Sequence, residues 1–280
     1  MLTRSLKVVT LLSLFSFVGL AGHAHADTIA YWRFENDYTD SVGGHHASGS
    51  NVSWQTPGLY NNAVPGTGES NNYAAVFSNN SLRVDGSGSW CSPSSFTLEA
   101  FVQPDDDDYQ WVEQVAGVWD DWDSWKLDLY SGKPRFAVSD GPGGARDLEV
   151  TANKVLKRGE TYALAAKFIS SGNSASIELL SKMPTDDSYT SLGTDTLDSG
   201  WEGILQAGQD LIMAQQGNDS GTDFNGVLDE VRFSSGALDE SELLATPEPG
   251  TTCLAILAAA AGVFAVWRKK RKQDSADPGE

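Results

Sequence analysis

Cysteine is almost missing from this chain of 280 residues, and its two examples, Cys91 and Cys253, fall in stretches of opposite character. Cys91 lies in a polar, aromatic-rich body and Cys253 in an apolar run near the C-terminus, so the body has no internal disulfide and must close on apolar burial. Histidine is scarce as well. His23 and His25 sit in an N-terminal leader, which leaves only the adjacent His45 and His46 in the body. That pair excludes a histidine-based catalytic network and a zinc-type ligand spacing. No Gly-x-Ser-x-Gly elbow and no phosphate-binding loop appears either. Cations are outnumbered, 19 Lys and Arg against 38 Asp and Glu, for a formal net charge of −19. Setting aside seven cations and four acids that lie in the terminal segments leaves 12 against 34 over residues 27–245, a body near −22. Such a field excludes nucleic acid as a partner and is compatible with divalent cations and neutral polymers.

What is present divides the chain in three. Residues 1–26 combine Arg4 and Lys7, an apolar core from Val8 to Leu20 and the small-residue site Ala24-His25-Ala26, the pattern of a secretory signal peptide cleaved after Ala26. Residues 27–245 are long enough for one domain with its own core. Residues 246–280 hold Pro247, Glu248 and Pro249, then an uncharged apolar segment over 251–267, then Arg268, Lys269, Lys270, Arg271 and Lys272. Seventeen apolar residues are at the short limit for a membrane-spanning helix, and the cationic block behind them predicts a cytoplasmic C-terminus with the body outside. The prolines predict an extended, protease-accessible hinge. This tail resembles the PEP-CTERM sorting signal in all three of its parts. The resemblance implies a Gram-negative exporter, a transient anchor in the inner membrane, cleavage near Pro247 to Pro249 by an exosortase-type enzyme, and release of the body to the cell surface or extracellular matrix.

Within the body, apolar residues recur with period two, the signature of half-buried strands. Thr28 to Phe34 opens as a strand. Phe96, Leu98, Ala100 and Val102 alternate with Thr97, Glu99, Phe101 and Gln103. Trp125, Leu127 and Leu129 alternate with Lys126, Asp128 and Tyr130, and a Ser131 to Pro134 turn leads into Arg135 to Ser139 as a hairpin. Tyr162 to Phe168 and Ser176 to Leu180 form a second hairpin, and Asp210 to Ala214 precedes a last strand, Phe224 to Phe233. Only Leu238 to Leu244 reads as a helix. The stretch from Asn51 to Asn72 is a long Pro- and Gly-rich loop, of the kind that is functional or packs over an edge. The pattern predicts an all-β antiparallel sandwich or barrel.

Four segments carry a more specific likeness. Tyr31 to Phe34 with Asp40 to Gly44, Phe96 to Val102 (FTLEAFV), Glu160 to Ala166 (ETYALAA), and Phe224 to Phe233 (FNGVLDEVRF) with its acidic sequel resemble, in order, segments of concanavalin A-like, laminin G-like jelly-roll domains. That resemblance implies two curved antiparallel sheets stacked face to face, used for glycan binding, adhesion or glycoside hydrolysis.

Candidate chemistry is confined to aromatic and acidic clusters. Trp119, Asp121, Trp122 and Asp123 crowd one turn, with Tyr109 and Trp111 nearby in sequence. Indole faces stack on sugar rings and carboxylates accept sugar hydroxyls, so these six are the candidate glycan-binding residues; packing within the sandwich is the alternative. Asp105, Asp107 and Asp229 are the candidate Ca²⁺ ligands, calcium being a hard cation suited to carboxylate oxygens, with a solvated turn and a buried carboxylate as the alternatives. No cofactor is required. No catalytic residue is assigned. The nearest approach to the acid spacing of family 16 glycoside hydrolases, Glu35-Asn-Asp37-Tyr-Thr-Asp40, lies in a turn-forming stretch. Asp229 and Glu230 are adjacent, so on a regular strand they face opposite sides and form no pair. A non-catalytic glycan-binding or adhesive module is therefore the leading expectation, with a divergent glycoside hydrolase as the alternative.

Overall fold

The computed structural model describes residues 27–60, 63–86, 90–105, 111–120, 123–141, 146–204, 210–216 and 221–247. The signal-peptide segment 1–26 and the tail from Glu248 onward, with the 251–267 segment and the 268–272 cations, lie outside the described residues. Among the described residues no helix is long and apolar enough to cross a membrane.

Fifteen strands are described. The chain opens with β1 (Thr28–Trp32), β2 (Ser48–Gly49), β3 (Ser53–Gln55), β4 (Ala74–Phe77) and β5 (Leu82–Val84). It continues with the long strands β6 (Ser95–Pro104), β7 (Val112–Asp120), β8 (Asp123–Tyr130) and β9 (Lys133–Ser139), then β10 (Asp147–Thr151). It ends with β11 (Tyr162–Ser171), β12 (Ser174–Lys182), β13 (Thr190–Leu197), β14 (Leu211–Met213) and β15 (Gly226–Ser235). Two antiparallel sheets result. One has eight strands in the order β13-β12-β11-β6-β15-β4-β3, with β1 also paired to β15; the other has seven in the order β10-β9-β8-β7-β14-β5-β2. Each expected hairpin forms in register, Lys167 opposite Glu178 in β11–β12 and Asp128 opposite Arg135 in β8–β9.

The two inner faces meet in an aromatic core. Phe96 contacts Trp125, Phe136, Phe168 and Phe233 at centroid separations of 5.3, 6.1, 5.4 and 5.0 Å, and Trp125 stacks on Phe233 at 5.4 Å. The Trp125 indole N–H donates to the Cys91 carbonyl at 2.7 Å, so that core side chain is satisfied. Cys91 is buried and unbridged.

A second, smaller apolar cluster lies on the outer face of the eight-stranded sheet. Residues from the 51–72 stretch cross that face as a strap, burying Leu59, Tyr60 and Val64 against Tyr31, Phe101, Ala163 and Leu180. A packing role over an edge was one expectation for a loop of that length; it packs instead over the sheet's outer face, with the short β3 at its start. Gly58 is required where the strap passes Asn71, because a Cβ there would sit 1.5 Å from the Asn71 amide oxygen.

The helix expected over Leu238 to Leu244 is a correction: only a single 3-10 turn forms, Glu240–Glu242. Leu243 leaves it in extended conformation because the next residues are drawn onto the sheet. The Leu244 N–H donates to Glu99 at 2.7 Å, and Gly66 N–H donates to the Leu244 carbonyl at 2.7 Å. Tertiary hydrogen bonds thus outcompete the two further helical bonds the segment would need.

Candidate functional site

Alternation along β8 sends Trp125, Leu127 and Leu129 into the core and Lys126, Asp128 and Tyr130 to the outer face of the seven-stranded sheet. There the β9 register brings Arg135 opposite Asp128. Arg135 grips that carboxylate with a fork, Nε to Oδ1 at 2.8 Å and Nη2 to Oδ2 at 2.7 Å, and approaches Glu149 of β10 at 3.6 Å. Lys126 reaches the same carboxylate at 3.4 Å and donates to Gln216 at 3.2 Å. The Arg135 guanidinium also lies 4.5 Å from the Tyr130 ring centroid, a cation–π contact. Gly117 of β7 lies opposite Lys126, where a Cβ would meet the Lys126 Cβ at 2.9 Å. Burial lowers the Lys126 pKa, and Asp128 only partly restores it. Burial works the same way on Arg135, but the Asp128 carboxylate more than offsets it and holds the guanidinium above its ordinary value. Asp128 is fully buried with both oxygens engaged, which leaves it unsuited to proton transfer.

At the rim of this network stands Trp111. It is 74 % exposed and meets Tyr130 edge-on, centroids 5.7 Å apart and planes at 87°. Tyr130 thus contacts both the open Trp111 indole and the Arg135 guanidinium, and an aromatic side chain this exposed is of the kind that marks interaction surfaces.

Among the described residues, the structure separates Trp111 from Trp119 and Asp123. Trp111 immediately precedes β7, whereas Trp119 is placed near its end, opposite Ser124. At about 3.4 Å per residue the eight steps between them span roughly 27 Å. Trp111 therefore does not share a site with the 119–123 turn, as their nearness in sequence had suggested. Of that turn, Trp119 and Asp123 are placed by backbone only, while Tyr109, Asp121 and Trp122 lie outside the described residues. Tyr130, Arg135, Asp128 and Lys126 were missed as site residues, although the period-two pattern already set Lys126, Asp128 and Tyr130 on the face away from the core.

Of the candidate metal ligands, the two described ones have separate partners. Asp105 is exposed and paired with Arg158 at 3.3 Å. Asp107 lies outside the described residues. Asp229 is fully buried under the strap on the other sheet, its Oδ2 accepting the Leu59 N–H and the Asn71 amide, each at 2.9 Å. Among the described residues no group of three His, Cys, Asp or Glu side chains is placed to hold a metal ion. Asp37 and Asp40 of the acid-spaced stretch serve turns: Asp37 accepts the Thr39 N–H, and Asp40 those of Tyr31, Val42, Gly43 and His45.

Asp229 brings a second correction. Opposite sides were expected for Asp229 and Glu230, but β15 bulges between Asp229 and Arg232, with Glu230 at φ +50°. One extra residue on the bulged strand turns both carboxylates toward the strap. Glu230 accepts the Tyr31 hydroxyl and lies 3.4 Å from Arg33. Burial, then repulsion from Glu230, drives the Asp229 carboxyl well above its ordinary pKa. Burial pushes Glu230 up to about 7, although Tyr31 and Arg33 pull the other way. With both residues at 0 % exposure the pair is closed to substrate.

Neither a protein-family model nor a curated protein matches the sequence. The fold is similar to domain 4 of AbnA, an extracellular GH43 arabinanase from Geobacillus stearothermophilus, solved in complex with arabinotriose: 16 % identity, TM-score 0.50, 78 % of this chain and 96 % of that domain. It is also similar to the receptor-binding domain of botulinum neurotoxin type G (13 % identity, TM-score 0.50) and to the binding domain of botulinum neurotoxin DC in complex with rat synaptotagmin II (10 %, 0.51), over 77 % of this chain in each case. The chain spans about half the length of those toxin domains, 49 % and 50 %. These likenesses, like the sheet order, define a two-sheet antiparallel β-sandwich.

Proposed function

We propose that the protein is an exported, non-catalytic glycan-binding or adhesive sandwich of the concanavalin A-like type, carried to the cell surface or matrix by a PEP-CTERM tail and cut from it by an exosortase-type enzyme. The observation that carries the binding reading is Trp111, open to solvent and seated on Tyr130 beside the Arg135–Asp128–Lys126 network. The arabinotriose held by a domain of similar fold supports a saccharide as ligand class. Binding is favoured over hydrolysis because Asp128 is held by two cations and Asp229 and Glu230 are buried under the strap. A hydrolase needs a pair of carboxylates flanking an accessible bond.

Affinity electrophoresis in gels containing arabinan, dextran or mixed-linkage β-glucan tests this. Trp111→Ala is expected to weaken retention by about two- to tenfold, the worth of one lost aromatic stacking contact, with the fold intact and no reducing sugar released. EDTA is expected to change nothing, since no cofactor is required. Retention equal to wild type would remove the Trp111 platform, and a loss seen instead with Trp122→Ala would move the site to the 119–123 turn.

The sorting reading rests on residues 246–280 alone. Pro249→Ala, or deletion of 268–272, is expected to leave unprocessed precursor in the inner membrane, read by fractionation and immunoblot. Wild-type processing of both variants would overturn it.

A further inference from the structure

The eight-stranded sheet carries a separate recess on its outer face, so it opens on the opposite side of the sandwich from Trp111. It is a cleft of about 500 Å³ whose polar and rigid walls are Tyr60, Pro65, Lys182, Pro184, Asp186 and Asp187. That volume is in the range of small-molecule sites, roughly 300 to 1,000 Å³. The strap supplies Tyr60 and Pro65, the end of β12 supplies Lys182, and the connection to β13 supplies the rest.

Two groups distinguish it from a packing gap. Tyr60 is 5 % exposed with its ring against Phe101, yet among the described residues its hydroxyl has no hydrogen-bond partner. A buried polar atom left in that state costs on the order of 1–3 kcal/mol, which a ligand acceptor would recover. Burial, reinforced by Asp186, pushes the Tyr60 pKa up and keeps the hydroxyl a donor. Lys182 is 4 % exposed and donates to the carbonyls of Ala245 at 2.8 Å and Asp187 at 3.4 Å, leaving a third N–H of its ammonium. Asp186 and Asp187 add exposed carboxylate acceptors at the mouth.

We propose that this cleft is a second binding site, for one or two units of a neutral saccharide. The lining selects the class: the two aspartates at the mouth repel an anionic sugar, while donors and acceptors together suit a ring bearing several hydroxyls. The pyrrolidine rings of Pro65 and Pro184 offer rigid C–H surface to the sugar's apolar face. With sites on opposite faces, one domain would bridge two polysaccharide strands and gain avidity without a partner subunit.

The proposal shares with the Trp111 platform only the reading that the ligand is a glycan, and the variants separate the two. Titration calorimetry of the purified protein uses arabinotriose, maltotriose and cellotriose as probes. Tyr60→Phe deletes only that hydroxyl and, by removing an unsatisfied buried polar atom, is expected to raise the unliganded melting temperature; Asp187→Asn alters an exposed side chain. In a Trp111→Ala background, binding of at least one trisaccharide is expected to persist, and each pocket substitution is expected to weaken it about five- to tenfold, the worth of one hydrogen bond. Binding that vanishes with Trp111→Ala, or that is indifferent to both pocket substitutions, overturns the second site. Binding that survives Trp111→Ala at full strength and fails with the pocket variants keeps it and overturns the platform. No binding of any probe by the wild-type protein overturns both.

Discussion

Arg232→Ala is expected to destabilise the domain by about 3–5 kcal/mol, the cost of leaving a buried charge without its partner, read as a fall in the urea unfolding midpoint at constant slope. Glu99 of β6 is 1 % exposed, and burial raises its pKa even with Arg232 beside it. Arg232 of β15 donates to it from Nε at 2.7 Å and again from Nη2, and the same Nη2 donates to the Glu242 carbonyl at 2.7 Å. The other Glu99 oxygen accepts the Leu244 N–H. One ion pair therefore ties two central strands of the sheet to the closing segment, where Leu243, Leu244 and Ala245 are buried. Truncating Arg232 strands the carboxylate and frees that segment together. A loss under about 1 kcal/mol, the worth of an exposed pair, would show that the contact is incidental.

Stability is expected to fall as the pH rises from 5 to 8. Glu230 ionises near 4.5 in the unfolded chain and near 7 in the fold. Between those values the native state holds a proton that the unfolded state has released, so raising the pH favours unfolding. The contribution is fully present below the unfolded pKa and gone above the folded one, about 3 kcal/mol across the interval at 1.36 kcal/mol per unit. Asp229, raised for the same reason, acts in the same direction. Asp40 acts in the opposite sense: four backbone N–H groups outweigh its burial and lower its pKa, so its stability is lost only on acidification below the ordinary aspartate value of 3.8. The balance predicts a maximum in mildly acidic solution. Glu230→Gln, which keeps an acceptor for Tyr31, should flatten most of the slope. Urea midpoints that stay level or rise between pH 5 and pH 8 in the wild type would contradict this.

The strands that were legible before the structure include β1, β6, β8, β9, β11, β12 and β15, most clearly those with long, clean alternation. β7 was not recognised, because its sequence VEQVAGVWD keeps no period over more than a few residues and follows a run of aspartates. β13, TSLGTDTL, pairs through its backbone on an edge and buries little, so apolar spacing carried no signal. The candidate site was legible in part. Trp111 was singled out for its type, but it was grouped with the 119–123 turn because the length of β7 between them was not seen.

Composition and spacing by themselves determined that this is an anionic, all-β, disulfide-free body between two apolar terminal segments, since charge, cysteine count and period two are properties of the chain alone. Only the tertiary structure decided which acids share an environment. Glu230 enters a left-handed backbone conformation because β1 and β6 flank it on both edges, and that single bulge brings together two carboxylates that a regular strand would hold apart. Likewise the strap becomes a lid over Asp229, and Lys182 becomes a neighbour of Tyr60, through contacts between residues more than a hundred positions apart, which no local pattern records.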